Sequence, residues 1–204
     1  GEAGESRHEG LTQFVVDMSA PGVTVRPILD MAGNHEFNEV FFDGVFVPED
    51  MIVGREGDGW AMVTGELAFE RSGPDRYLSD FRLFAALVDR VGPDPGERAA
   101  GEIGRVLAHL VALRRMSASL AGRLDGGEAP NTEAALVKDV GNALEREIPE
   151  IARRLADVAP DLLAPEDAFA ESLADVTLRA PSFTLRGGTR EILRGVIARQ
   201  LGLR

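Results

Sequence analysis

The sequence predicts an α+β chain, with a partial antiparallel β domain over residues 1–56 followed by an antiparallel four-helix bundle over residues 57–204. Two observations carry this. Between residues 11 and 55 apolar clusters rich in Val, Phe and Ile are cut by short turn segments. After "GREGDGW" the apolar spacing changes from two to about 3.6 and stays helical to the end.

The strand-like stretches are "LTQFVVDM", "GVTVRPIL", "NEVFFDGVFVP" and "DMIVG", with "APG", "AGN" and "DG" as turns between them. Pro48 is expected to end the strand that carries Val45 and Val47, because proline has no N–H for a ladder. About four strands with one polar face leave the other face uncovered. The sheet is therefore expected to be completed by chain outside these residues or by another polypeptide, and the polar opening "GEAGESRHEG" adds nothing to it.

Asp58 is placed to cap a helix through "GWAMVTGELAFERSG", which Gly73-Pro74 interrupts before "DRYLSDFRLFAALVDRV". In the next segment Ile103, Val106, Leu110, Leu113, Leu120 and Leu124 alternate at three and four, a helical seam. A third helix is capped by Asn131 or Thr132 and carries Leu136, Val140, Leu144, Ile148, Ile151 and Leu155, with a bend at Pro149. "APDLLAPEDA" reads as irregular, and Thr189 to Gln200 as the last helix.

With 44% hydrophobic and 27% charged residues the chain reads as globular. Its net charge of -12 argues against nucleic acid or an anionic membrane as partner, since both are polyanions. The absence of cysteine excludes disulfides and thiolate chemistry and is compatible with a cytoplasmic location, and His8, His35 and His109 lack zinc-ligand spacing. No apolar run reaches the length of a membrane span.

Two short motifs point to chemistry. Near the carboxyl end, "RGGTREIL" sets Gly187 and Gly188 before a helix that Thr189 caps, so backbone can approach a bulky ligand there; the plain alternative is a loop and a cap. In "LAFERSG", Glu70 and Arg71 are flanked by Leu67, Ala68 and Phe69; the plain alternative is a solvated pair. Trp60, Phe41, Phe42 and Phe46 read as core residues, and Arg114-Arg115 and Arg153-Arg154 as solvated faces.

The order of "FNEVFFDGVFVPEDMIVGREGDGWAMVTGELAFERSG", helices, and "GGTREILRGVIARQLGLR" closely resembles the carboxyl-terminal half of acyl-CoA dehydrogenases. That resemblance implies FAD as cofactor, an acyl-CoA substrate, an electron-transfer flavoprotein or similar acceptor, and a homo- or hetero-oligomer. It implies a carboxylate base in one of two places. One is directly before the terminal Gly-Thr, where this chain has Gly187; the other is an "ER" pair on the first helix, where it has Glu70. Glu70 is thus the implied base, with Arg71 as its electrostatic neighbour or a CoA contact. The flavin contacts implied are Gly187, Gly188, Thr189, Glu191 and, more loosely, Arg82.

Two family features are missing. "FRLFAALVDRVG" stands where an "RxxFG" motif is usual, and "APDLLAPEDA" replaces a glycine-rich turn. These departures keep open a non-catalytic subunit completing a heteromer, and within the same fold the resemblance also leaves open an oxygen-using relative such as an acyl-CoA oxidase or a flavin-dependent hydroxylase.

Overall fold

The computed structural model describes residues 8–164 and 166–203. Residues 1–7 of the polar opening, Pro165 of the "APDLLAPEDA" stretch and Arg204 lie outside it. The chain divides into two compact units, Gly1–Glu66 and Leu67–Arg204.

The first unit holds two two-stranded antiparallel ribbons. Strands β1 (Gln13–Phe14) and β4 (Ile52–Val53) pair with Phe14 opposite Ile52, while β2 (Val23–Leu29) and β3 (His35–Phe42) form a longer hairpin. The hairpin register runs from Val23 opposite Phe42 to Ile28 opposite Phe37, with an irregularity at Ile28/Leu29. Asp30 closes its loop by accepting from the N–H groups of Ala32 and Asn34, at 2.9 and 2.8 Å, as an Asx turn does. Gly22, at φ +92°, lies against the carbonyl of Asp43, where any Cβ would clash. The expected strand through Val45 and Val47 does not form: β3 ends at Phe42, both valines lie in irregular chain, and Pro48 precedes a 3₁₀ turn at Glu49–Met51 instead of ending a strand.

The aromatic residues expected in a core are not enclosed among the described residues. Phe41 is 43% exposed, Phe42 58%, Phe46 83% and Trp60 43%. Phe41 and Phe42 sit on a two-stranded ribbon with no second layer to cover its apolar face, Phe46 lies in irregular chain beyond it, and Trp60 lies at the start of a helix. Trp60 instead stacks on His8, with ring centroids 3.9 Å apart.

Helix α1 (Gly59–Ser72) stops before Gly73-Pro74, and a 3₁₀ turn at Pro74–Arg76 leads to α2 (Phe81–Val91). Helices α3 (Glu97–Asp125), α4 (Asn131–Ala156), α5 (Ala168–Phe183) and α6 (Arg190–Gln200) follow. Val106, Leu110, Leu113 and Leu120 of the expected α3 seam are buried, with Ile103 and Leu124 packed beside them. Arg114, Arg115, Arg153 and Arg154 are exposed.

The helical unit differs from a simple four-helix bundle. The stretch read as irregular, 159–168, carries no helix before Ala168 among its described residues, but helix α5 follows it where the sequence predicts no separate element: Asp167 accepts from the N–H groups of Phe169 and Ala170 and caps its start. Helix α4 is the centre, packed by α2, α3, α5 and α6. It starts after Pro130 without a side-chain cap, not from an Asn131 or Thr132 cap, and it runs through Pro149 to Asp157, a left-handed C-terminal residue.

Candidate functional site

Within the helical unit, the last turn of α1 and the loop before α6 meet. Ala68, Arg71 and Ser72 are buried, which anchors that turn, while the Glu70 side chain is 40% exposed. Gly187 has φ +68° and Gly188 φ +106°, both in the region that favours glycine. The Nε of Arg71 donates to the Gly187 carbonyl at 3.1 Å, tying the two segments together. Burial lowers the Arg71 pKa, with Glu70 acting in the opposite direction.

Gly187 presents its hydrogen face to Glu70. A Cβ there would overlap Oε1 and lie 3.0 Å from Cδ. The two positions implied for the base thus share one site, and the carboxylate of Glu70 fills space that a side chain at Gly187 would need. Arg76, only 8% exposed, donates from Nη2 to Oε1 of Glu70 at 3.2 Å and from Nε to the Glu70 carbonyl at 2.8 Å. The guanidinium that pairs with this carboxylate is therefore that of Arg76, while Arg71 serves the glycine loop.

Thr189 caps α6 by accepting from the N–H of Ile192 at 3.4 Å, and fully buried Leu193 anchors the helix. Glu191 stands in the first turn. Its pKa is lowered, first by its own backbone N–H and then by the Thr189 hydroxyl, so this helix terminus already carries a carboxylate. Arg82 is elsewhere: it lines a polar cavity of about 320 Å³ with Ser79, Glu171, Ser172, Asp175 and Arg179, between α2 and α5.

A buried polar strip was not visible in the sequence. Lys138, Asn142 and Glu145 follow each other at i, i+4 and i+7 on α4 and are fully buried. Glu145 accepts from the Ser79 N–H at 2.9 Å and from Arg186 at 3.4 Å, and burial raises its pKa. Lys138 donates to Oδ1 of Asn142 at 3.4 Å; burial, then the like charges of Arg76 and Arg186, lower its pKa to about 8. Asp80 is also fully buried, and neither of its oxygens has a hydrogen-bond partner among the described residues. Burial and then Glu145 raise its pKa to about 8. The i, i+4, i+7 spacing was the available signal, but it is also how a solvated helix face looks.

No group of metal-ligating side chains occurs among the described residues, and no helix there is long and apolar enough to cross a membrane.

No family model matches the chain. Acyl-CoA dehydrogenase IpdE1 of Mycolicibacterium smegmatis is 33% identical over 210 residues, covering 99% of this chain and 51% of that protein. The solved Tcur3481-Tcur3483 steroid ACAD shares the fold with a TM-score of 0.80 at 21% identity, over 99% of this chain and 54% of that one. The ChsE4-ChsE5 complex from Mycobacterium tuberculosis gives a TM-score of 0.75 at 23% identity, over 96% of this chain and 52% of that one. The chain spans about half the length of these relatives. On that sequence similarity, carried over nearly all of its residues, the chain belongs to the acyl-CoA dehydrogenase family.

Proposed function

We propose that this chain carries the catalytic base of an FAD-dependent acyl-CoA dehydrogenase, and that Glu70 is that base. The supporting observation is the fit between Glu70 and Gly187, in which the carboxylate fills space that a side chain at the alternative base position would occupy. In this reading the Glu70 carboxylate removes a proton from the α-carbon of an acyl-CoA thioester, so the Cα–H bond becomes an O–H bond on the side chain. Bound FAD supplies the acceptor for the β-hydrogen, which leaves with its electron pair, and an electron-transfer flavoprotein or similar acceptor then reoxidises the system.

The chain's own residues divide this work. Arg71 fixes the glycine loop through the Gly187 carbonyl. Gly187 and Gly188 leave backbone free of side chains where a ring system would approach. Glu191 already neutralises the start of α6, so the loop suits the ring portion of a flavin better than its pyrophosphate. Arg82, which lines the cavity between α2 and α5, is the remaining candidate for an anionic group.

A second reading is a subunit that completes a heteromeric enzyme. It is favoured by the glycine-free segment 158–164 after α4 and by the likeness to the ChsE4-ChsE5 complex. Purifying the complete gene product with any partner that accompanies it, and adding acyl-CoA anaerobically, separates these readings. Bleaching of the flavin absorbance that is lost in Glu70→Gln supports the first; bleaching that survives this substitution assigns the base to another chain.

A further inference from the structure

We propose that Arg76 is the positioning residue of Glu70, holding Oε1 so that Oε2 is the oxygen presented to a substrate proton; the inference rests on the reading of Glu70 as base. The contact is twofold. Nη2 of Arg76 donates to Oε1 at 3.2 Å, and Nε donates to the main-chain carbonyl of the same residue at 2.8 Å. One guanidinium therefore holds both the carboxylate and the main-chain carbonyl of Glu70, as its planar fork of donors allows. Oε2 has no hydrogen-bond partner among the described residues.

The six-residue separation matters. A partner at i+6 cannot reach back along a continuous helix, but α1 stops at Ser72 and Gly73-Pro74 turns the chain into a 3₁₀ turn that returns Arg76 to the end of α1. Glu70 lies in the last helical turn, where carbonyls lack intrahelical donors, and the Nε contact satisfies one of them.

Arg76 has little freedom to move away. Its own carbonyl lies against Gly141 of α4, where any Cβ would overlap it, and Nε is also 3.3 Å from Oδ2 of Asp75. Gly187 also lies against Oε1, and a Cβ there would take the space that this oxygen occupies. Oε1 of Glu70 is thus held against both a buried cation and a residue with no side chain. Its side chain is 40% exposed, so without Arg76 its three rotatable bonds would let the carboxylate turn into water.

The test uses the flavin-loaded gene product with any co-purifying partner and compares Arg76→Gln, Arg76→Lys and Glu70→Gln. Misplacing the base should lower kcat about ten- to a hundredfold in Arg76→Gln with KM within about twofold, and Arg76→Lys should recover part of the loss. A second readout is independent of turnover. Before substrate is added, coupling of Glu70 to an amine by a water-soluble carbodiimide, read by peptide mass spectrometry, should be several-fold faster in Arg76→Gln. Unchanged labelling, or a lower melting temperature with unchanged kcat, overturns the positioning role and leaves Arg76 as a helix cap only. Should Arg76→Gln not fold, the comparison of Arg76→Lys with wild type in both assays decides. If Glu70→Gln retains turnover, the base assignment fails, while the labelling result still judges the clamp.

Discussion

Gly187 and Glu70 fit together only because Gly187 has no side chain: a Cβ at Gly187 would overlap Oε1 of Glu70. Gly187→Ala should therefore both strain the loop, where φ is +68°, and push the carboxylate from its place. The expected cost is about 1–2 kcal/mol in stability from the backbone alone, with turnover reduced at least about tenfold. Thermal melting and steady-state kinetics on the same variant check both. Unchanged turnover would show that the carboxylate is free to work from another position.

Asp80 offers a pH test of the buried strip. Its pKa is raised in the folded chain to about 8 from an ordinary 3.8, so between these values the folded state binds more protons than the unfolded one. Stability from this group is present below about pH 4 and lost as pH rises through about 8. Asp80→Asn removes that loss and should stabilise the chain by on the order of 3 kcal/mol at pH 7, with the difference shrinking towards zero near pH 4. Chemical denaturation of both proteins from pH 4 to 9 measures it, and a pH-independent difference would contradict the assignment.

Lys138 makes the opposite prediction in a different window. Its folded pKa is lowered to about 8 from 10.5, so the charged form is disfavoured in the folded chain. Raising the pH from about 8 to 10.5 should relieve this cost. Lys138→Met should stabilise the chain by on the order of 2–3 kcal/mol at pH 7 and by little above about pH 10.5. Denaturation curves at pH 7 and pH 10.5 compare the two. A loss of stability at pH 7 would show that Lys138 contributes more through Glu145 and Glu70 than burial costs it.

Much of the fold was legible because local signals agreed. Parts of the Val- and Phe-rich runs form the ribbons, Val23–Leu29 with His35–Phe42 above all, and the alternation from Val106 to Leu120 is the buried face of α3. Glu70, Arg71 and Gly187 could be named from "LAFERSG" and "RGGT", and the structure brings them within reach of each other. What escaped depends on tertiary packing. Helix α5 follows a segment dense in proline, and its start rests on a single Asp167 cap. The buried polar face of α4 looks solvated in sequence, because nothing local reveals that α2, α3, α5 and α6 all pack against α4. Arg76 was missed for a related reason: its bond to Glu70 spans a helix end and a turn, outside any helical spacing. The exposed Phe41 and Phe42 show the reverse error, apolar residues read as core where a two-stranded ribbon supplies none.

The central claim, that the Glu70 carboxylate removes the substrate α-proton, is tested most directly by isotope exchange in the complete gene product. Incubated anaerobically in deuterated water with an acyl-CoA, the wild-type protein should place deuterium at the α-carbon, read by mass spectrometry of the recovered thioester. Glu70→Gln should lower that exchange at least about a thousandfold while flavin content stays the same. Exchange at the wild-type rate in the variant would contradict the account.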